Sequence, residues 1–455
     1  MALAAGRFSQ RGSVIIHRNV VIDITGLRKF TILWLAYLIS AIGTRMADFA
    51  ITLWVWDQTG SATALTLWGF FYQLPRLFTS LFAGILVDRT SRKYLMILSE
   101  AVTATTTLAL LGLHLTGQLV IWHLYVAFCL NGGFEKFSQL AYRASLTLLV
   151  EPQHYVRANS MNTAIGYASS IVAPAIAGIL YPIIGLGGIW PINLATFAVV
   201  ITVIALLKIP QPPPEDRPPD QAGKGMAVVW QEVSFGYRYL LGHRGLRALL
   251  LVTTLFHATL RLTDLIYDPM ILARTDGSSD ALAAVSSIAG IGGVTSAVLM
   301  SLWGGPKRRV SGMLTGFMSA GLAKIIFGLG QSLRVWLPSQ FFSSMSFPLI
   351  LGSEMALWTL ATPAAVQGRV FAAHFLTYEL ATTPISLMAG PLSDRIFEPA
   401  MQSSGLLPTL FGPIVGIGPG SGMGLLFTGS AMICFLVGVL SWRLPALRGL
   451  EKGSK

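Results

Sequence analysis

An arginine and an aspartate one helical turn apart, Arg45 and Asp48, stand inside an apolar stretch, and the same pair recurs 216 positions later as Arg261 and Asp264. An ionised side chain at the centre of a bilayer costs roughly 2.5–3.5 kcal/mol, so such residues face a cavity or a partner. A carboxylate's hold on a proton strengthens in surroundings of low polarity and weakens beside an arginine, so the pair suits proton exchange. His257 and Asp268 extend the second copy, and spacings of four, three and four place His257, Arg261, Asp264 and Asp268 on one helical stripe. Another run carries Asn131, Glu135, Gln139 and Tyr142 on a shared face with Lys136 and Arg143 beside it, and Arg76, Lys324, Glu354 and Glu379 stand singly in other runs. An ion pair within one helix would merely neutralise itself, but such a pair needs no second copy. No phosphate-cradling glycine loop, nucleophile elbow or metal-ligand spacing occurs, so the expectation is no cofactor, no metal and no enzyme.

These side chains must be carried by membrane helices. Of 455 residues 53% are hydrophobic and only 11% charged, with a mean hydropathy of +0.64, whereas soluble domains carry about 25% charged residues. Twelve apolar runs lie near 30–55, 63–87, 94–115, 120–147, 159–183, 189–208, 246–272, 279–303, 310–331, 334–361, 370–392 and 422–442. About 20 residues cross a hydrocarbon core of ~30 Å as a helix. The net charge of +12 is placed as a topology signal rather than a nucleic-acid surface. With the N-terminus inside, 23 Lys and Arg fall in cytoplasmic segments, and the outer loops hold only Arg274, Arg334 and Arg395. Both termini are therefore expected in the cytoplasm of a cell (inner) membrane protein. No removable signal peptide is read in the first 29 residues, and Cys129 and Cys434 sit in apolar runs as small hydrophobes.

The expected organisation is a cytoplasmic segment over 1–29, a six-helix bundle over 30–208, a linker over 209–245, a second bundle over 246–443 and a tail over 444–455. The linker opens with a proline-rich stretch from Ile209 to Asp220. A helix bearing Val229, Trp230, Val233, Tyr237, Leu240 and Leu241 follows, suited to the cytoplasmic face. The halves read as parallel repeats. Thr59-Gly60-Ser61 corresponds to Thr275-Asp276-Gly277-Ser278 with one insertion, and Arg157 precedes Gly178 by 21 residues as Arg369 precedes Gly390.

Between the second and third runs lies Gly84-Ile85-Leu86-Val87-Asp88-Arg89-Thr90-Ser91-Arg92-Lys93. It resembles the signature loop of the major facilitator superfamily, Gly-x-Leu-Ala-Asp-Arg-x-Gly-Arg-Lys, with Val87 and Ser91 as mild departures. The resemblance implies two pseudo-symmetric six-helix bundles, twelve transmembrane helices in all, and a conformational latch on the inner side made by Gly84, Asp88, Arg89, Arg92 and Lys93. Asp88 would face the start of the eleventh helix near Gly368 and Arg369, and Arg92 would pair with Glu151. A basic cluster serving only as a topology anchor would explain the Lys and Arg but not the Gly and Asp spacing. The second half offers only Gly304-Gly305-Pro306-Lys307-Arg308-Arg309, without an aspartate.

Val156-Arg157-Ala158-Asn159-Ser160 and Gln367-Gly368-Arg369-Val370-Phe371-Ala372 resemble strings of the bacterial subgroup containing enterobactin exporters and macrolide efflux proteins. Ala173-Pro174-Ala175-Ile176-Ala177-Gly178 is similar to a degraded copy of the superfamily's antiporter motif. In that family helices 1, 4, 7 and 10 line the cavity, flanked by 2, 5, 8 and 11. The resemblance thus implies a substrate and proton-coupling cavity for Arg45, Asp48, Glu135, His257, Arg261, Asp264, Asp268 and Glu379, and a peripheral, snorkelling or structural Lys324. Aromatics crowding the first two runs, among them Trp34, Trp56, Trp68, Phe71 and Tyr72, read mostly as packing or interface residues. The expected function is a monomeric secondary transporter exporting small amphipathic molecules against protons, with an importer or symporter of the same fold as the alternative.

Overall fold

The computed structural model describes residues 24–209, 225–402 and 407–452, and within the helices it leaves some side chains undescribed, among them Gly84, Asp88 and Arg89. No strand occurs among the described residues. The helices are α1 (Ile24–Thr59), α2 (Ala62–Arg89), α3 (Arg92–Leu115), α4 (Ile121–Leu149), α5 (Tyr155–Leu206), α6 (Gly225–Gly242) and α7 (Arg244–Arg274). They continue as α8 (Ser279–Trp303), α9 (Arg309–Leu329), α10 (Leu333–Ala361), α11 (Gln367–Leu392), α12 (Glu398–Ala400), α13 (Pro408–Val415), α14 (Ser421–Ser441) and α15 (Pro445–Lys452). The fifth and sixth apolar runs are the two arms of α5, which meet at Gly185, where φ is 61° and the helical backbone is interrupted. By length and apolarity seven described helices can each cross a membrane. The count is up to eight if Leu333–Ala361 and Ala364–Ala400, bent by 101°, form one broken span.

The helix joints explain the repeated Thr-Gly-Ser string. Gly60 takes φ of 57° and Gly277 takes 78°, a left-handed turn that costs glycine little. The following serine then caps the next helix: Ser61 Oγ accepts from the Ala64 amide at 3.4 Å, and Ser278 Oγ from Ala281 at 3.2 Å. The insertion, Asp276, also has positive φ, at 50°.

In one group α1 runs along α5, and α4 packs on α2 and α3. In the other, α14 packs on α7 and α9, and α10 on α8 and α9. The groups meet along α5 and α8 and along α2 and α11. Glycines set both contacts. A Cβ on Gly178 would stand 2.6 Å from Ala283 Cβ, and one on Gly390 would run into the Thr63 backbone. These are the two glycines paired by the sequence repeat, so the duplication carries a contact point in each half.

The buried core is one body at the end of the molecule marked by Ser61, running from Met46 through Trp190 to Phe427. Toward the opposite end, marked by Arg92, it divides. One part gathers around Phe30, Met96 and Val200 of the first group, the other around Leu249, Phe317 and Trp358 of the second.

The proline-rich stretch lies outside the described residues. The helix after it, α6, docks against α11, where a Cβ on Gly236 would strike the Arg369 carbonyl oxygen, and Trp230 remains exposed. The tail also folds: α15 lies on α7, with Leu450 packed over Gly245.

Candidate functional site

The α7 stripe divides its side chains among four neighbouring helices. His257 Nε2 stands 2.9 Å from Glu354 Oε2 of α10. Arg261 turns to α2 and α11, its Nη2 donating to Gln73 Oε1 at 3.4 Å and its Nε to Ser386 Oγ at 3.3 Å. Asp264 accepts from Lys324 Nζ of α9 at 3.1 Å. Asp268 follows one turn on and has Asp264 as a charged neighbour. Neither the self-neutralised Arg–Asp pair nor a snorkelling Lys324 is what forms in this half. Lys324 is only 3% exposed, its ammonium 5.5 Å from the Phe427 ring centre, because α7, α9 and α14 close around it.

Gln73 is the hub between the two groups. Its Nε2 donates to Glu379 Oε2 at 2.8 Å and to Thr382 Oγ1 at 2.7 Å, and its Oε1 accepts from Arg261 and Ser386. Every hydrogen-bonding function of a buried amide is thereby used, which fixes α2 against α7 and α11. Arg76, one turn on from Gln73, lies 5.1 Å from the Tyr72 ring centre, and Glu379 is its charged neighbour.

In the first group Asp48 is half-buried and Arg45 and Glu135 are exposed. Arg45 and Glu135 are the charged neighbours of Asp48, and Arg45 and Lys136 those of Glu135. Among the described residues neither carboxylate has a hydrogen bond or an ion pair within 4 Å. The expected shared face of α4 is split: Asn131 Oδ1 accepts from Thr106 of α3 at 2.9 Å, and Tyr142 donates to Asn162 of α5 at 2.6 Å.

At the Ser61 end two carboxylates absent from the sequence reading bind helix N-termini. Asp394, just beyond α11, accepts from Ser61 Oγ at 2.6 Å, Ala62 N at 3.1 Å and Thr63 N at 2.8 Å, so the second group holds the first turn of α2. Glu398 accepts from the Met423 amide at 2.8 Å at the start of α14. Arg274 ties α7 to the carbonyls of Gly328, Gly330, Val415 and Gly420. Asp276, Asp394 and Glu398 border a recess of about 510 Å³ here. At the Arg92 end, Gly84, Asp88 and Arg89 lie outside the described side chains. Arg92 Nη1 donates to Ala144 O at 2.6 Å, and Lys93 Nζ to Leu207 O at 3.1 Å, both within the first group. Glu151 is exposed and accepts from Gln153 rather than from Arg92.

Gln73, His374, Asp394 and Glu398 were missed in the sequence. A lone amide in an apolar run was the available signal for Gln73, while Asp394 depends on partners 331–333 residues away and Glu398 on an amide 25 residues on, in another helix. Among the described residues no three His, Cys, Asp or Glu side chains converge as metal ligands.

The family model described as Major Facilitator Superfamily matches residues 33–385. The chain is 24% identical to macrolide efflux protein A of Streptococcus pyogenes over 371 residues, spanning 81% of this chain and 90% of that protein. It is 25% identical to the enterobactin exporter EntS of Shigella flexneri over 221 residues, 47% of this chain and about half of the exporter, at 50%. Among solved structures, a bacterial homologue of the human lysosomal transporter Spinster superposes with a TM-score of 0.67 at 14% identity, covering 94% of this chain and 98% of that one. The nucleoside transporter NupG gives 0.64 at 11% identity, covering 91% and 99%. The helical groups, the duplicated joints and contact glycines and this family match agree: the chain is a multi-pass membrane transporter rather than an enzyme, and it belongs to the Major Facilitator Superfamily.

Proposed function

We propose that the protein exports small amphipathic molecules, of drug, macrolide or siderophore type, across the cell membrane by alternating access, in exchange for protons. The supporting observation is the core that is single at the Ser61 end and split at the Arg92 end. A carrier caught closed on one side has this form, with a substrate path opening between the bundles on the other. The distribution of Lys and Arg supports a cytoplasmic Arg92 end in this reading. In this reading twelve helices span the membrane, both termini are inside, the domain limits are those expected above, and the monomer is the working unit. The names of the relatives favour export: one is an efflux protein and one an exporter.

In this reading Asp48 and Asp264 are the leading coupling carboxylates, followed by Glu135 and Glu379, with Arg45, Arg261, His257 and Asp268 around them. Gln73 and Asp394 close the outer side. When that side opens, the inner latch of Gly84, Asp88, Arg89, Arg92 and Lys93 engages, with Glu151 at its edge. Transport of a compound panel containing macrolides and catecholate siderophores into everted and right-side-out vesicles tests the proposal. Accumulation in everted vesicles that needs a pH gradient supports it. Accumulation only in right-side-out vesicles would instead establish an importer or symporter.

A further inference from the structure

Glu354, on α10, is 8% exposed and flanked by two imidazoles from two other helices. His257 Nε2 of α7 lies 2.9 Å from Oε2, and His374 Nε2 of α11 lies 3.8 Å from Oε1, with these histidines 14% and 13% exposed. Trp358 stacks on His374 at 4.3 Å with planes 22° apart, and Tyr378 meets the His257 ring edge-on at 5.6 Å. His374 Nδ1 is buried without a hydrogen-bond partner among the described residues. A carboxylate this enclosed needs a compensating charge, and neutral imidazoles carry none. One proton shared by the pair of imidazoles balances it.

The geometry points to a second proton-binding site of the transporter at His257, Glu354 and His374, holding one exchangeable proton inside the second bundle. Its role in transport rests on the proton-coupled reading above, but its occupancy does not. The surrounding ionisable groups are few. Tyr378 comes from α11, with Glu379 beside it, and Arg261 from α7, bonded to Gln73 and Ser386. Lys324 of α9 is bonded to Asp264, and Tyr237 of α6 to Thr377. The only ionisable side chain on α8 is Asp280, at the far end.

The site is wired to the closed side. On α11, His374, Tyr378, Thr382 and Ser386 follow at intervals of four, and the last two bond Gln73; on α7, Arg261 is one turn from His257. Loss of the proton to water at the Arg92 end leaves a net negative charge one turn from the Arg261–Gln73 contact. Occupancy of the site thereby biases the bond network that closes the outer side.

Trp358 reports the proton directly, because a stacked imidazolium quenches indole emission. The fluorescence of purified protein in detergent is titrated, and the Trp358→Phe signal is subtracted at each pH. The site predicts a one-proton quench in the wild type. The quench is lost in His374→Gln and moved by about one pH unit or more in Glu354→Gln, with both variants melting like the wild type. A wild-type Trp358 signal that does not titrate, or one unchanged in Glu354→Gln, overturns the site. His257→Gln guards against misfolding of either variant: it must also displace the titration, and an unchanged curve counts against the site. A titrating Trp358 in a protein whose transport ignores pH leaves the site standing and removes the antiport reading.

Discussion

In α1 the half-buried Asp48 has Arg45 and Glu135 as charged neighbours and, among the described residues, no hydrogen bond to its carboxylate. Its counterpart in α7, Asp264, is 47% exposed and accepts from the buried Lys324 at 3.1 Å, while Arg261 has left it for Gln73. One duplicated element has thus diverged. The first copy keeps a carboxylate without a fixed partner, free to change protonation at little structural cost. The second is braced into its bundle and, through Arg261, across to the other. A charge pattern repeated in sequence therefore does not guarantee a repeated role, because the role depends on what the neighbouring helices present.

The largest expected effect is on coupling, and the two copies separate by the stability that accompanies it. Asp48→Asn abolishes pH-driven export in everted vesicles, while substrate binding in detergent persists and stability changes by less than about 1 kcal/mol, as for a group with no partner to lose. Asp264→Asn also impairs pH-driven export, as a second coupling carboxylate would, but it adds a stability cost that Asp48→Asn lacks. It strands the Lys324 ammonium, at a cost of about 2–3 kcal/mol, less than the 3–5 kcal/mol of a fully buried pair because Asp264 is half exposed. A thermal melt in detergent shows the loss, and the double variant Asp264→Asn with Lys324→Met recovers most of it. Equal melting of Asp48→Asn and Asp264→Asn would erase the distinction.

Smaller effects come from the contact glycines. Gly390→Ala drives a methyl into the Thr63 backbone and Gly178→Ala drives one into the Ala283 side chain. Overpacking of this kind costs about 1–3 kcal/mol, enough to slow export roughly tenfold by disfavouring closure of the Ser61 end. Gly390→Ala has the larger effect, because backbone yields less than a side chain. Export rates of the two variants in vesicles check the order. The smallest change is Asp394→Asn, which weakens the capping of α2 by about 1 kcal/mol. Spin labels on α2 and α11 then report a broader spread of distances at the Ser61 end, with the melting temperature near that of the wild type.

Much of this was legible in the sequence. The stripe of His257, Arg261, Asp264 and Asp268 follows from helical periodicity. The two Gly-Ser strings were matched by their place in the repeat, and Gly178 and Gly390 were paired by their spacing alone. What those glycines touch was not legible, nor was the split of the stripe among four helices, since both depend on which helices become neighbours. Lys324 shows the limit: a lone lysine in a peripheral run reads as snorkelling or structural, and only α7, bringing Asp264 to it, decides for the structural role. His374 has no sequence signal at all, because its partner Glu354 is on another helix and nothing in their spacing couples them.

The most direct test of proton-coupled export is proton movement itself. With the protein in liposomes and a pH-sensitive dye in the lumen, adding a transported substrate to the outside with no imposed gradient should release protons from the lumen in the wild type. In Asp48→Asn the same addition should leave the lumen pH unchanged while substrate still binds. Substrate movement without proton movement in the wild type, or an undiminished proton signal in Asp48→Asn, would contradict the account.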